Sequence, residues 1–226
     1  MMKVKRMRAN FAAITLAVIA IAAFIYATYA FILPRFATSQ DSMKLQVIVG
    51  YADGTVWAVQ SDDFPLGMAI IDPANQGKEV SWIRIELYIT PQFTGTVASY
   101  TVSGSLSCKI YEGYTRVYDS GSMTLQPVSP LPTLQSGVPV VITSATITAQ
   151  GLESLYSGWK DGQTYSLQWQ VDSFAMTIKF TDGNEETKLP SNSLPYLFTW
   201  NFQYRKAATS SFLGYSISFN KAVGYK

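Results

Sequence analysis

Histidine is absent from the 226 residues, and cysteine occurs once. The first fact removes His-based acid–base chemistry, His-containing triads and nearly all zinc sites. The second leaves no partner for an intrachain disulfide. Carboxylates are the remaining catalytic currency, and they occur as adjacent pairs, Asp62-Asp63 and Glu185-Glu186. Glycoside hydrolysis needs two carboxyl groups flanking one bond. Neighbours on a strand point to opposite faces, so both pairs are expected to be solvated loop residues. Asp182-Gly183-Asn184-Glu185-Glu186 packs several oxygens into one turn. Calcium is the metal least excluded there, with Asp182, Asn184 and Glu185 as candidate ligands. The spacing is not that of an EF-hand loop, and an acidic hairpin tip accounts for the same residues without a metal. No Gly-rich phosphate loop occurs. Cys108 sits at an apolar position of an alternating segment and reads as a small buried hydrophobe rather than a reactive thiol. No cofactor and no enzymatic activity are expected.

Four basic residues, Lys3, Lys5, Arg6 and Arg8, precede 23 uncharged residues from Phe11 to Leu33. At 1.5 Å per residue a helix of that length spans about 34 Å, close to the hydrocarbon thickness of a bilayer. Arg35 is the only basic residue that follows closely. The charge asymmetry predicts a cytoplasmic N-terminus over residues 1–10 and a signal-anchor span over 11–33. A short stalk at 34–43 would then lead to an extracytoplasmic domain over 44–226. Cleavage after Ala30, at the small-x-small sequence Thr28-Tyr29-Ala30, is a rival expectation and would make the protein secreted. From Pro34 onward there are 13 basic and 15 acidic residues, without runs of like charge. No nucleic-acid surface is expected from that balance.

A basic leader ending in Arg8-Ala9, an unbroken apolar helix and a β-rich head together resemble the layout of archaeal type IV pilins and archaellins. The resemblance covers the first 35 residues and the general layout. It implies cleavage after Ala9, packing of the apolar helices into a filament core, and self-assembly. Asn10 departs from it as the residue that would follow the cut. Ser42-Met43 after the anchor, and Ser122-Met123 later, also invite comparison with type I signal peptidases. That family needs Ser-Met-x-Pro, whereas Leu45 and Leu125 stand at the proline positions.

From Lys44 onward apolar residues recur with period two. Ile83, Ile85, Leu87 and Ile89 alternate with Trp82, Arg84, Glu86 and Tyr88. Tyr165 to Val171, then Phe174 to Phe180, form two further rows. Tyr196, Phe198, Trp200, Phe202 and Tyr204 place five aromatics on one face, with Gln203 on the other, and Leu213, Tyr215, Ile217 and Phe219 follow. One apolar and one polar face is the pattern of antiparallel sheets with a single buried side. About ten such segments predict an all-β antiparallel sandwich, immunoglobulin-like or jelly-roll-like. Asp182-Gly183 predicts a hairpin turn. Gly151–Trp159 suggests a helical turn crossing between sheets, and the Pro-rich stretch 127–139 a sheet-to-sheet loop.

Trp82, Arg84, Glu86 and Tyr88 share the face opposite the isoleucines. If solvent reaches that face they form a contact patch for an envelope protein or glycan; if a neighbouring loop covers it, they are packing residues. The expectation for the whole chain is a non-catalytic binding or structural role at the cell envelope, with the bilayer as a partner through residues 11–33.

Overall fold

The computed structural model describes residues 41–188, 196–206 and 210–221. The basic residues Lys3, Lys5, Arg6 and Arg8, the apolar run 11–33 and most of the expected stalk lie outside them. Among the described residues no helix is long and apolar enough to cross a membrane.

Among the described residues eleven strands and one short helix follow in chain order: β1 (Ser42–Tyr51), β2 (Val56–Gln60), β3 (Val80–Thr90), β4 (Val97–Glu112), β5 (Thr115–Asp119), β6 (Met123–Thr124), β7 (Val140–Thr148), α1 (Ala149–Leu155), β8 (Thr164–Phe180), β9 (Glu185–Lys188), β10 (Tyr196–Lys206) and β11 (Ser210–Lys221). They form two antiparallel sheets. The smaller has the order β2-β1-β3-β7. The larger has the order β11-β10-β8-β4-β5, with β6 on β4 and β9 on β8. The all-β, two-sheet expectation is met. β1 begins before Lys44, because Met43 pairs with Ile89 and is buried.

The inward rows meet as one cluster. Leu45, Val47, Ile83, Ile85 and Leu87 come from the smaller sheet; Leu167, Trp169, Phe198, Trp200 and Phe202 come from the larger. The chain crosses between sheets three times. Residues 91–96 lead from β3 to β4. The stretch containing Pro127 and Pro139 leads from β6 back to β7. The last crossing uses α1, whose first turn is capped when Thr148 Oγ1 accepts from Gly151 N at 3.0 Å. Leu152 is its buried residue. The last two crossings stand where proline and the Gly151–Trp159 pattern put them.

Rows change facing where a ladder slips, as in β8 and β11. In β8 the buried residues run Tyr165, Leu167, Trp169 and Val171, then Phe174, Met176, Ile178 and Phe180. Asp172 is the extra residue, because Leu106 pairs with Val171 while Ser105 pairs with Ser173. A bulge of this kind shifts the inward set by one position without ending the strand. Gly104 sits beside it, and a Cβ there would lie 2.4 Å from the Ser173 carbonyl oxygen. In β11 the slip corrects the sequence pattern. Asn201 pairs with Ser216 and Phe202 with Gly214. Tyr215 is thereby skipped, Phe212 joins Ile217 and Phe219 in the core, and Leu213 and Tyr215 stay half-exposed.

Candidate functional site

The outer face of the smaller sheet brings together the four residues singled out on β3. Trp82, Arg84, Glu86 and Tyr88 follow in a row, and their cross-strand partners on β1 are Gly50, Ile48, Gln46 and Lys44. On the far side Thr148, Thr146 and Ser144 stand opposite Trp82, Arg84 and Glu86. All three are exposed, as are Val56 and Ala58 on β2, so solvent reaches both flanks of the row.

Each side chain of the row is held by its neighbour. The Trp82 indole lies flat over Gly50, where a Cβ would come within 2.2 Å of the ring. Glycine opposite an aromatic lets the ring cover bare backbone. The Arg84 guanidinium lies 5.6 Å from the Trp82 ring centre, within cation–π range. Its Nε lies 3.1 Å from Glu86 Oε1, but the N–H is not aimed at that oxygen and Nε has no hydrogen-bond partner. Proximity therefore makes an ion pair without a hydrogen bond. Tyr88 Oη donates to Glu86 Oε2 at 3.0 Å. Burial, and then the Glu86 carboxylate beside it, push the Tyr88 hydroxyl up to about 12. Lys44 Nζ sits 5.7 Å from the Tyr88 ring centre and donates to Gln60 Oε1 at 2.8 Å. The row is thus a preformed strip in which two charged groups lie between two aromatic rings. The Arg84 Nε is buried in the row, while the side chain as a whole stays 42% exposed.

The other candidates find structural partners. Both Asp182 oxygens accept from Asn184, Oδ1 from the backbone N at 3.0 Å and Oδ2 from Nδ2 at 2.8 Å. Glu185 pairs with Lys179 at 2.7 Å. Asp182, Asn184 and Glu185 therefore lie at the β8–β9 hairpin, where both Asp182 oxygens and one Glu185 oxygen have partners within the hairpin. Among the described residues no group of three or more Cys, Asp or Glu side chains is placed to hold a metal ion. Asp62 lies 3.5 Å from Lys44. Glu185 and Glu186 stand on strand β9 rather than in the expected loop, because they pair with Lys179 and Ile178 of β8, and Glu186 forms an ion pair with Lys188. Cys108 is buried, and burial pushes its thiol up to about 12, with Asp119 adding to the shift.

One feature of the surface has no signal in side-chain type. A groove of about 700 Å³ opens between the start of β4 and residues 131–136. Voids elsewhere, beside Trp200, measure about 10 Å³, no more than one water needs. The groove arises where the larger sheet extends past β5 and β6, and only the pairing of the strands reveals it. Compared with family models, curated proteins and solved structures, the chain matches none.

Proposed function

We propose that this chain is a membrane-tethered, extracytoplasmic β-sandwich protein with a non-catalytic binding role at the cell envelope. Its contact surface is the Trp82–Arg84–Glu86–Tyr88 strip. The observation that carries the assignment is the Arg84 side chain, 42% exposed and held 5.6 Å from the Trp82 ring centre. Arginine and aromatic side chains held rigid on a sheet cost little entropy on binding and are enriched at binding hot spots. An envelope glycan or protein offering a carboxylate or hydroxyl cluster fits that chemistry. The tether rests on Phe11–Leu33 and the four basic residues before it.

The test joins topology to binding. A reporter active only outside the cytoplasm, fused after Lys226, works, and a cytoplasmic reporter at the same place fails. In co-sedimentation with isolated envelopes, Arg84→Ala and Tyr88→Ala each weaken binding by about tenfold or more, as truncation of a hot-spot residue does. Cytoplasmic reporter activity defeats the tether, and envelope binding indifferent to both substitutions defeats the strip. N-terminal sequencing separates the alternatives. A start at Met1 or Met2 fits a tether, a start at Asn10 indicates a pilin-like filament subunit, and a start at Phe31 indicates a secreted domain.

A further inference from the structure

The larger sheet leaves one strand edge open beside a cavity. β4 pairs with β8 along its whole length, but on its other side only with β6 at Ser105–Leu106 and β5 at Lys109–Glu112. From Val97 to Ser103, seven residues or about 20 Å of strand, that second side has no strand partner among the described residues. Gly104 O accepts from Leu125 N, away from β8. Alternation along an antiparallel strand then turns the N–H and C=O of Tyr100 and Val102 to the same side.

This edge lacks the devices that blunt the other edges of the larger sheet. β5 carries Arg116 and Asp119, and β9 carries two glutamates and a lysine. The outer edge of β11 is occupied, because Ile70 and Ile217 exchange backbone hydrogen bonds. Val97–Ser103 contains neither charge nor proline. Long, uncharged edges of this kind recruit another strand. The groove of about 700 Å³ runs along the first part of it, Val97 to Tyr100, and its wall at residues 131–136 is fixed to the strand by Tyr100 Oη donating to Pro132 O at 2.6 Å. Leu131 projects there, 41% exposed, with Phe93 and Leu134 lining the same space. No carboxylate, ammonium or guanidinium lines it.

We propose that the β4 edge from Val97 to Ser103 is a strand-addition site for an uncharged, extended peptide segment of a partner protein. The segment carries apolar side chains at alternate positions. Its backbone exchanges hydrogen bonds with Tyr100 and Val102, and its apolar side chains enter the groove toward Leu131 and Leu134. Main-chain bonding sets affinity in such a mode and alternate side-chain pockets set selectivity. The absence of charge in the lining selects a neutral occupant, since a buried unpaired charge is costly. This site is separate from the outer strip and stands whether or not the strip binds anything.

The test uses the full chain in detergent and a blocked heptapeptide alternating threonine and valine. Saturation with the peptide raises hydrogen-exchange protection of the Tyr100 and Val102 amides at least tenfold and leaves Gln46, on the other sheet, unchanged. A peptide with lysine in place of valine, and one with central proline, each bind at least tenfold more weakly. Val102→Pro removes the outward donor and abolishes binding. Leu131→Asp, on the exposed wall, weakens binding at least fivefold while leaving the melting temperature within about two degrees. Absence of binding, protection confined to other amides, or equal binding of the lysine peptide overturns the proposal. Protection that grows with protein concentration without peptide assigns the edge to a second copy of the chain and overturns it equally.

Discussion

Trp82 and Gly50 illustrate how one residue sets the terms for another. The indole occupies the space that a Cβ on Gly50 would need. Gly50→Ala alone must displace the ring and costs about 1–3 kcal/mol, as overpacking does. In a Trp82→Ala background the same change meets no ring. There it becomes neutral or stabilising by about 0.5–1 kcal/mol, because alanine loses less backbone freedom than glycine. Denaturant unfolding of the four proteins checks the coupling; additive effects would show that the ring does not lie on Gly50. Cys108 makes a second prediction at this scale. Its thiol ordinarily titrates near 9.0 and is held at about 12 in the fold, chiefly by burial. A folded-state pKa above the unfolded one gives stability that is fully present below pH 9 and is lost as pH rises toward 12. Native protein at pH 8 leaves Cys108 unmodified by an aromatic disulfide reagent, whereas denatured protein releases one thiol per chain. Across pH 9–12 the unfolding free energy falls less steeply in Cys108→Ala than in the parent.

Between elements, the decisive features are slips in register. The β4–β8 pair brings Gly104 close to the Ser173 carbonyl, where backbone rather than a flexible side chain stands in the way. Gly104→Ala is expected to destabilise by about 1–3 kcal/mol, measured as a lower denaturation midpoint with an unchanged slope. The row Phe198, Trp200, Phe202 and Tyr204 on β10 was legible in the sequence, because a period-two run without a slip maps directly onto one face. The β11 row was not. Leu213 and Tyr215 fit the alternation, but the slip after Asn201 turns them out and brings Phe212 in. Apolar residue type is common to both faces there, so nothing in the local pattern marks the slip. In β8, by contrast, Asp172-Ser173 interrupts the apolar row, and the bulge sits at that interruption.

For the molecule as a whole, stability rests on the shared core between the sheets. Trp200 is buried, stacks on Phe202 at 4.3 Å and borders both small voids. Trp200→Ala is expected to cost about 3–5 kcal/mol, a large share of the 5–15 kcal/mol typical of a domain (roughly). Gln203, on the opposite face, donates to Gly162 O at 2.7 Å and accepts from Tyr215 Oη at 3.0 Å. Gln203→Ala is therefore not silent, as its outward position alone suggests, and costs about 0.5–1.5 kcal/mol for the lost bonds. Thermal unfolding ranks the two, and equal midpoints would overturn the assignment of faces.

The sequence by itself determined the all-β class, the antiparallel alternation and the two later crossings. It also placed Trp82, Arg84, Glu86 and Tyr88 on one face. These follow from local rules: side chains alternate along a strand, proline interrupts pairing, and aspartate–glycine turns the chain. Tertiary structure alone decided which strands neighbour which. Strand order depends on contacts between residues far apart in the chain, and no local pattern encodes those. The same reason hid the Gly50–Trp82 contact, the engagement of Asp182 and Glu185 within their hairpin, and the open edge of β4. An edge is a property of what fails to pair with it, and only the assembled sheet shows that.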